Sequence, residues 1–177
     1  MWVRSEYAGA LAVLSAWLGA VVPWEVSLVS DVAGGNALFV RFPFAEVRYA
    51  FGLPGGRPTL VLDPIAALSF YRNTAVAVGY RVWVVGAGLV AAALVLSVAY
   101  YLREERVEAG PVDPVRLMGA LLTGAGLTFA AASYLIATRG FPSLPVPVGV
   151  VLLLALGVVL LRVRRAEVGG TDDGAAE

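Results

Sequence analysis

Two groups of ionisable residues stand close enough in the sequence to do chemistry. Glu104, Glu105 and Glu108 alternate with Arg103 and Arg106, and paired carboxylates serve general acid–base work when their environments push their pKa values apart. They follow directly on an apolar run, however, so they read as the solvated extension of a helix. Arg41, Glu46, Arg48 and Asp63 form the looser set on which a membrane enzyme would have to draw. Absences narrow the chemistry further. Without Cys the chain has no thiolate nucleophile, disulfide or sulfur ligand, and without His it lacks the commonest metal ligand and the side chain that titrates near neutrality. Gly34-Gly35 and Gly55-Gly56 do not sit in a strand-to-helix phosphate-loop pattern and read as turns. No catalytic residue, metal ligand or cofactor is assigned, and the reading is non-enzymatic.

Composition says what surrounds the elements that carry these groups. Of 177 residues, 59% are hydrophobic, above the roughly 45–50% of soluble domains, and the mean hydropathy is +0.81; lipid is the expected partner. Thirteen acidic residues balance thirteen basic ones, which gives no reason to expect nucleic acid. Every basic residue is Arg, a bias that reports a GC-rich genome rather than a function.

Four uncharged runs have about the 20-residue length that crosses a bilayer as helix. They are Tyr7–Trp24, Val82–Leu102, Leu117–Thr138 and Pro145–Leu161. Trp2, Tyr7, Trp24, Tyr80, Trp83, Tyr100 and Tyr101 near their ends read as headgroup-level aromatics. Asp113-Pro114 reads as an N-cap and first helical residue, and Ser143 or Pro145 starts the fourth run. A signal peptide with Arg4 ahead of Ala8–Val22 is the rival for the first run, but Leu18 spoils the small-x-small cleavage pattern around Ala20. The fold class expected is therefore mainly α: a polytopic membrane protein with four transmembrane helices and a small antiparallel β meander in the first outer loop. Both termini share one side with the loop 103–116. That side holds seven Arg against six, concentrated next to helix ends, so the termini are expected in the cytoplasm and the protein in the cell membrane.

Residues 25–81 make a connection too long to lack structure. Ala37–Phe42, Glu46–Phe51 and Thr59–Leu62 read as strands, with a turn at Leu53–Pro58 and a tighter one near Pro43. A sheet this small needs cover from the membrane surface, the helix ends or another subunit. Asp63-Pro64 starts a helix through Ile65, Leu68 and Tyr71, with Asn73, Thr74 and Gly79 as places for a bend, and Arg81 is expected to pair with Glu25.

Only Ser15, Ser97, Thr123, Thr128, Ser133 and Tyr134 put polar atoms inside the runs, and such hydroxyls mostly bond their own helix, which disfavours a pump. Ala8, Ala12, Ala16 and Ala20, then Ala120 with Gly124 and Gly126 with Ala130, form small-residue faces for packing within the monomer or for a homo-oligomer seam. Residues 162–177 read as a cytoplasmic tail, disordered from Gly169, whose Arg residues touch anionic headgroups.

The phrases Trp2-Val3-Arg4-Ser5-Glu6-Tyr7-Ala8-Gly9, Pro23-Trp24, Phe39-Val40-Arg41-Phe42-Pro43 and Arg48-Tyr49-Ala50-Phe51-Gly52 resemble an uncharacterised family of small four-helix membrane proteins from halophilic archaea. The resemblance covers mostly the first third and implies localisation without an activity. The plan is also similar, more loosely, to that of claudins, from which it departs in having no Cys pair in the first outer loop and only a short second outer turn. The expected function is structural: an interaction protein acting through its outer loop. Phe39, Arg41, Phe42, Phe44, Arg48, Tyr49 and Phe51 are the contact candidates, and the partner is another copy or a membrane or envelope protein. The alternative is a small channel or permease subunit with a polar path along the second and third runs.

Overall fold

A computed structural model describes residues 2–32, 35–52, 59–104, 107 and 110–166. In chain order the elements are β1 (Trp2–Arg4), α1 (Ser5–Val21), β2 (Glu25–Val32), β3 (Gly35–Arg41), β4 (Glu46–Phe51), β5 (Thr59–Leu62), α2 (Pro64–Tyr71), α3 (Ala77–Leu102), α4 (Pro114–Thr138), β6 (Leu144–Val146), α5 (Val148–Arg162) and β7 (Arg164–Ala166). The turn expected at residues 53–58, the tail from Gly169, and Glu105, Arg106 and Glu108 of the carboxylate cluster lie outside the described residues.

Helix starts follow their caps. The Asp63 side chain accepts from the N–H groups of Ile65 and Ala66, and Asp113 accepts from Val115, each ahead of a proline that has no N–H to leave unpaired. Helices α1, α3, α4 and α5 pack as one layer held by close backbone approach. Gly86 of α3 seats the Phe129 ring of α4, and Gly79 seats Ile136; a Cβ at either would fall within 2.6 Å of the neighbouring side chain. Gly119 of α4 meets Gly157 and Leu160 of α5 in the same way. Ala8, Ala12 and Ala16 are fully buried, so the small-residue face of α1 packs inside the chain. Large apolar side chains point outward around the layer: Leu14, Trp17, Val85, Val95, Leu127 and Val151 are all exposed.

Strands β5-β4-β3-β2-β6 form a five-stranded antiparallel sheet, while β1 and β7 pair in parallel near the opposite end of the layer, where Gly9 of α1 faces Tyr100 of α3. The main sheet lies over the ends of α3 and α4. Trp24, at the entry to β2, stacks on Phe129 at 5.1 Å, and the indole N–H of Trp83 donates to the Pro43 carbonyl at 3.1 Å.

These observations correct the expected fold class. Among the described residues there are five helices and a five-stranded antiparallel sheet, so the fold is mixed α/β rather than four membrane helices with a small meander. Among the described residues only Ala77–Leu102 and Pro114–Thr138 form helices long and apolar enough to cross a membrane. At about 1.5 Å per residue α1 extends roughly 26 Å and α5 roughly 22 Å, short of the hydrocarbon thickness of about 30 Å. The apolar runs were longer than the helices because their ends enter the sheet. The Trp24 amide donates to the Arg41 carbonyl at 2.8 Å, and Pro145 and Val146 pair with Ser27 and Val26, so α5 starts only at Val148. Trp24, Tyr80, Trp83 and Tyr100 are core residues, not headgroup markers. The chain bends at 72–76, between α2 and α3, while Gly79 lies inside α3.

Candidate functional site

Strand alternation sorts the sheet into two faces of opposite chemistry. Register places Glu25, Arg41 and Glu46 side by side in one row across β2, β3 and β4, and Ser27, Phe39 and Arg48 in the next. Both rows face the helix layer. Arg41, Glu25 and Glu46 are fully buried.

Arg41 is the centre of this cluster. Its Nη1 donates to Glu25 and, at 3.3 Å, to the Ser27 hydroxyl; its Nε donates to Glu46 at 2.7 Å; its Nη2 donates to the Tyr80 hydroxyl at 3.2 Å. Tyr80 in turn donates to Glu46 at 2.8 Å, and Arg48 Nε reaches the other Glu46 oxygen at 2.5 Å. The two guanidiniums lie among aromatic rings. Arg41 sits 4.8 Å from the Phe141 centroid, and Arg48 sits 4.5 and 4.9 Å from those of Phe70 and Tyr71. Two cations and two carboxylates leave the cluster formally neutral, the condition under which buried charge is tolerated.

Burial pushes the Glu25 carboxyl above its ordinary value, against the opposing pull of Arg41 and the Ser133 hydroxyl. Burial also works against the charge of Arg41, but Tyr80, Glu25 and Glu46 raise it above its ordinary value, so the guanidinium stays protonated. Each carboxylate already faces an arginine, and among the described residues no group of three or more acidic side chains is placed to hold a metal ion. Asp63, the fourth member of the set a membrane enzyme would use, stands apart as the exposed cap of α2. The cluster therefore ties sheet to helices, and Glu25 Oε2 and Arg48 Nη2 are its buried polar atoms without a hydrogen-bond partner among the described residues.

Among the described side chains the outer face carries no charge. Val146, Val26, Val40, Val47 and Val61 fall in one continuous row across all five strands, about 19 Å at the spacing of neighbouring strands. Beside it runs a second row of Leu28, Leu38, Tyr49 and Thr59. Leu28, Tyr49, Phe51, Val61 and Val146 are exposed, and the Tyr49 and Phe51 rings touch at 5.7 Å.

The contact candidates divide between these faces. Tyr49 and Phe51 lie on the outer face, and Phe44 is exposed at the turn before β4. Phe39, Arg41 and Arg48 point inward, and Phe42 is half-buried with its carbonyl accepting from the Trp24 indole at 3.2 Å. Glu25 pairs with Arg41, not with Arg81, which is exposed on α3. Sequence reasoning missed the role of Tyr80 and the whole valine row. The signal for the row was present in the alternation of Glu25-Val26-Ser27-Leu28-Val29, which reads as a strand once Trp24 is taken out of the helix.

The chain belongs to a family of unknown function, DUF7549, whose family model matches residues 1–165. No curated protein matches it.

Proposed function

We propose that the protein is a non-enzymatic interaction protein held in a membrane by its helix layer, and that the outer face of the sheet is where a partner protein docks. The single observation that carries this reading is the uncharged valine row and its Leu28, Leu38 and Tyr49 neighbours, lying open on a sheet whose charges are turned inward. Contiguous exposed apolar surface of this kind marks an interaction site, and a face without charge suits a partner equally flat and uncharged. The helices α3 and α4 are the crossing elements, the outward apolar side chains of the layer face hydrocarbon, and the end that carries β1 and β7 faces the cytoplasm. The seating of Phe129 on Gly86 and of Ile136 on Gly79 supports this reading over a solute path between α3 and α4.

Photocrosslinking in intact cells tests it. A crosslinkable residue at Leu28 or Val61 is expected to give one defined adduct, whose mass tells a second copy from a different protein, and Val40→Arg is expected to abolish it. The same label at exposed Arg81 is expected to give none. Adducts that form equally from all three positions would remove the outer face as the docking surface, and release of the protein from native membranes by alkaline carbonate would remove the membrane anchor.

A further inference from the structure

A cleft of about 460 Å³ opens where the sheet meets the helix layer. Its walls come from β2 and β3 (Val29, Phe39), the end of α2 (Tyr71), the turn into α3 (Thr74 to Val76) and the segment after α4 (Arg139 to Pro142). The volume lies in the range of small-molecule sites, and the lining follows their pattern of apolar and aromatic walls with few polar groups. Among the described lining residues none is acidic, and Arg139 stands exposed on the rim.

The arginine is placed there by backbone geometry. Gly140 has φ +91°, a left-handed conformation that a side chain disfavours, with open space around its α-carbon. The reversal leaves Arg139 at the end of α4 and turns Phe141 back against Phe39, 5.0 Å away and edge-on. A cation and an apolar wall are thereby set side by side. The level matters too: α3 begins immediately after Val76 and α4 ends immediately before Arg139, so the mouth opens where the apolar helix surface stops.

We propose that this cleft binds one anionic lipid of the surrounding bilayer. An acyl chain lies among Val29, Phe39, Val76 and Phe141, and the negatively charged head meets Arg139. The positive rim, with no opposing carboxylate among the described side chains, selects the sign of the head, and the apolar walls select an amphiphile over a free anion. The assignment rests on the membrane reading above for the source of the ligand, but its chemistry is testable apart from any membrane.

The experiment is titration calorimetry of the purified full chain in a neutral detergent. The probes are dihexanoyl phosphatidylglycerol, its zwitterionic phosphatidylcholine counterpart and inorganic phosphate. Saturable binding of phosphatidylglycerol at one site is expected, about tenfold tighter than phosphatidylcholine, the ratio that one ion pair of modest strength supplies. Arg139→Gln is expected to erase the preference and Arg139→Lys to restore most of it; because the residue is exposed, both variants should keep the wild-type unfolding temperature. Ala75→Trp, which puts an indole into the cleft, is expected to weaken both lipids. Equal affinity for the two lipids, an unaltered preference in Arg139→Gln, or displacement of phosphatidylglycerol by equimolar phosphate would each overturn the proposal. Carbonate release of the native protein alongside an intact tenfold preference would sink the membrane reading alone, and carbonate resistance without a preference would sink the lipid site alone.

Discussion

The two faces of one sheet invert the usual arrangement, in which apolar side chains turn in and polar ones turn out. On the inner face Glu25, Arg41, Glu46 and Arg48 are packed against the ends of α3 and α4, whereas the outer face presents five valines in a row. The difference teaches where each face spends its interactions. Inward charges have directional partners at fixed distances and lock the sheet to Tyr80 of α3, while the outward valines have no directional requirement and suit a surface completed by something else.

The largest way to break this contrast is to remove its central cation. Arg41→Met leaves Glu25 buried with no charge to oppose it and Glu46 with Arg48 alone, and a loss of about 3–5 kcal/mol is expected from the cost of orphaning buried charge. Chemical unfolding of the detergent-solubilised protein measures it. Combining Arg41→Met with Glu25→Gln keeps Glu46 paired with Arg48, removes the uncompensated charge and should recover most of the loss. A single-mutant effect near the roughly 0.5 kcal/mol of ordinary surface substitutions would mean that water reaches the cluster.

A second effect separates the faces by pH. Glu25 is raised by burial, so the folded state holds its proton more tightly than the unfolded chain does. Its contribution to stability is therefore greatest below the unfolded carboxyl value of about 4.3 and declines as pH climbs through the folded value. Arg41 of β3, Glu46 of β4 and Ser133 of α4 face it, and Arg41 keeps its proton throughout this window. Glu25→Gln is expected to flatten that decline in a series of unfolding curves, with no comparable change from outer-face substitutions. An unchanged pH slope in Glu25→Gln would show that the carboxyl titrates as it does in water.

How much of this contrast was legible in the sequence depends on what fixes each part. The caps at Asp63 and Asp113, strands β3 to β5 and the cores of α3 and α4 follow from local signals, namely a carboxylate before proline, β-branched alternation and long uncharged runs. The ends of α1 and α5 were misread because hydropathy does not distinguish a valine in a helix from a valine in an edge strand: Val146 and Pro145 belong to β6, and Trp24 leads into β2. The partner of Glu25 was misread for a related reason. The four-helix topology expected from the sequence would bring Arg81 near it, but Arg41 is placed opposite it by strand register, and register emerges only when β2 is recognised.

On the outer face the expected effects on stability are small and those on association large. Val40→Thr and Val47→Thr keep the β-branched shape and add a hydroxyl to a face open to solvent, so each should shift stability by no more than about 0.5–1 kcal/mol. The same pair should cut the adduct yield from Val61 several-fold, because a hydroxyl desolvated against an apolar partner finds no acceptor there. If stability falls by several kcal/mol while the adduct persists, the valines are core residues and the comparison of faces is wrong.

The smallest expected effect tests which arginine serves Glu25. Arg81→Gln removes an exposed side chain of α3 whose loss leaves the Arg41 contacts to Glu25, Glu46, Ser27 and Tyr80 in place, so the unfolding free energy should move by less than about 0.5 kcal/mol. A double-mutant cycle makes the result decisive. Coupling of Glu25→Gln with Arg81→Gln should be indistinguishable from zero, whereas coupling of Glu25→Gln with Arg41→Met should amount to a kilocalorie or more on the scale of about 0.5–3 kcal/mol found for groups in contact. Coupling to Arg81 instead would shift the inner-face register away from Glu25 opposite Arg41, and with it the alternation that turns the five valines outward.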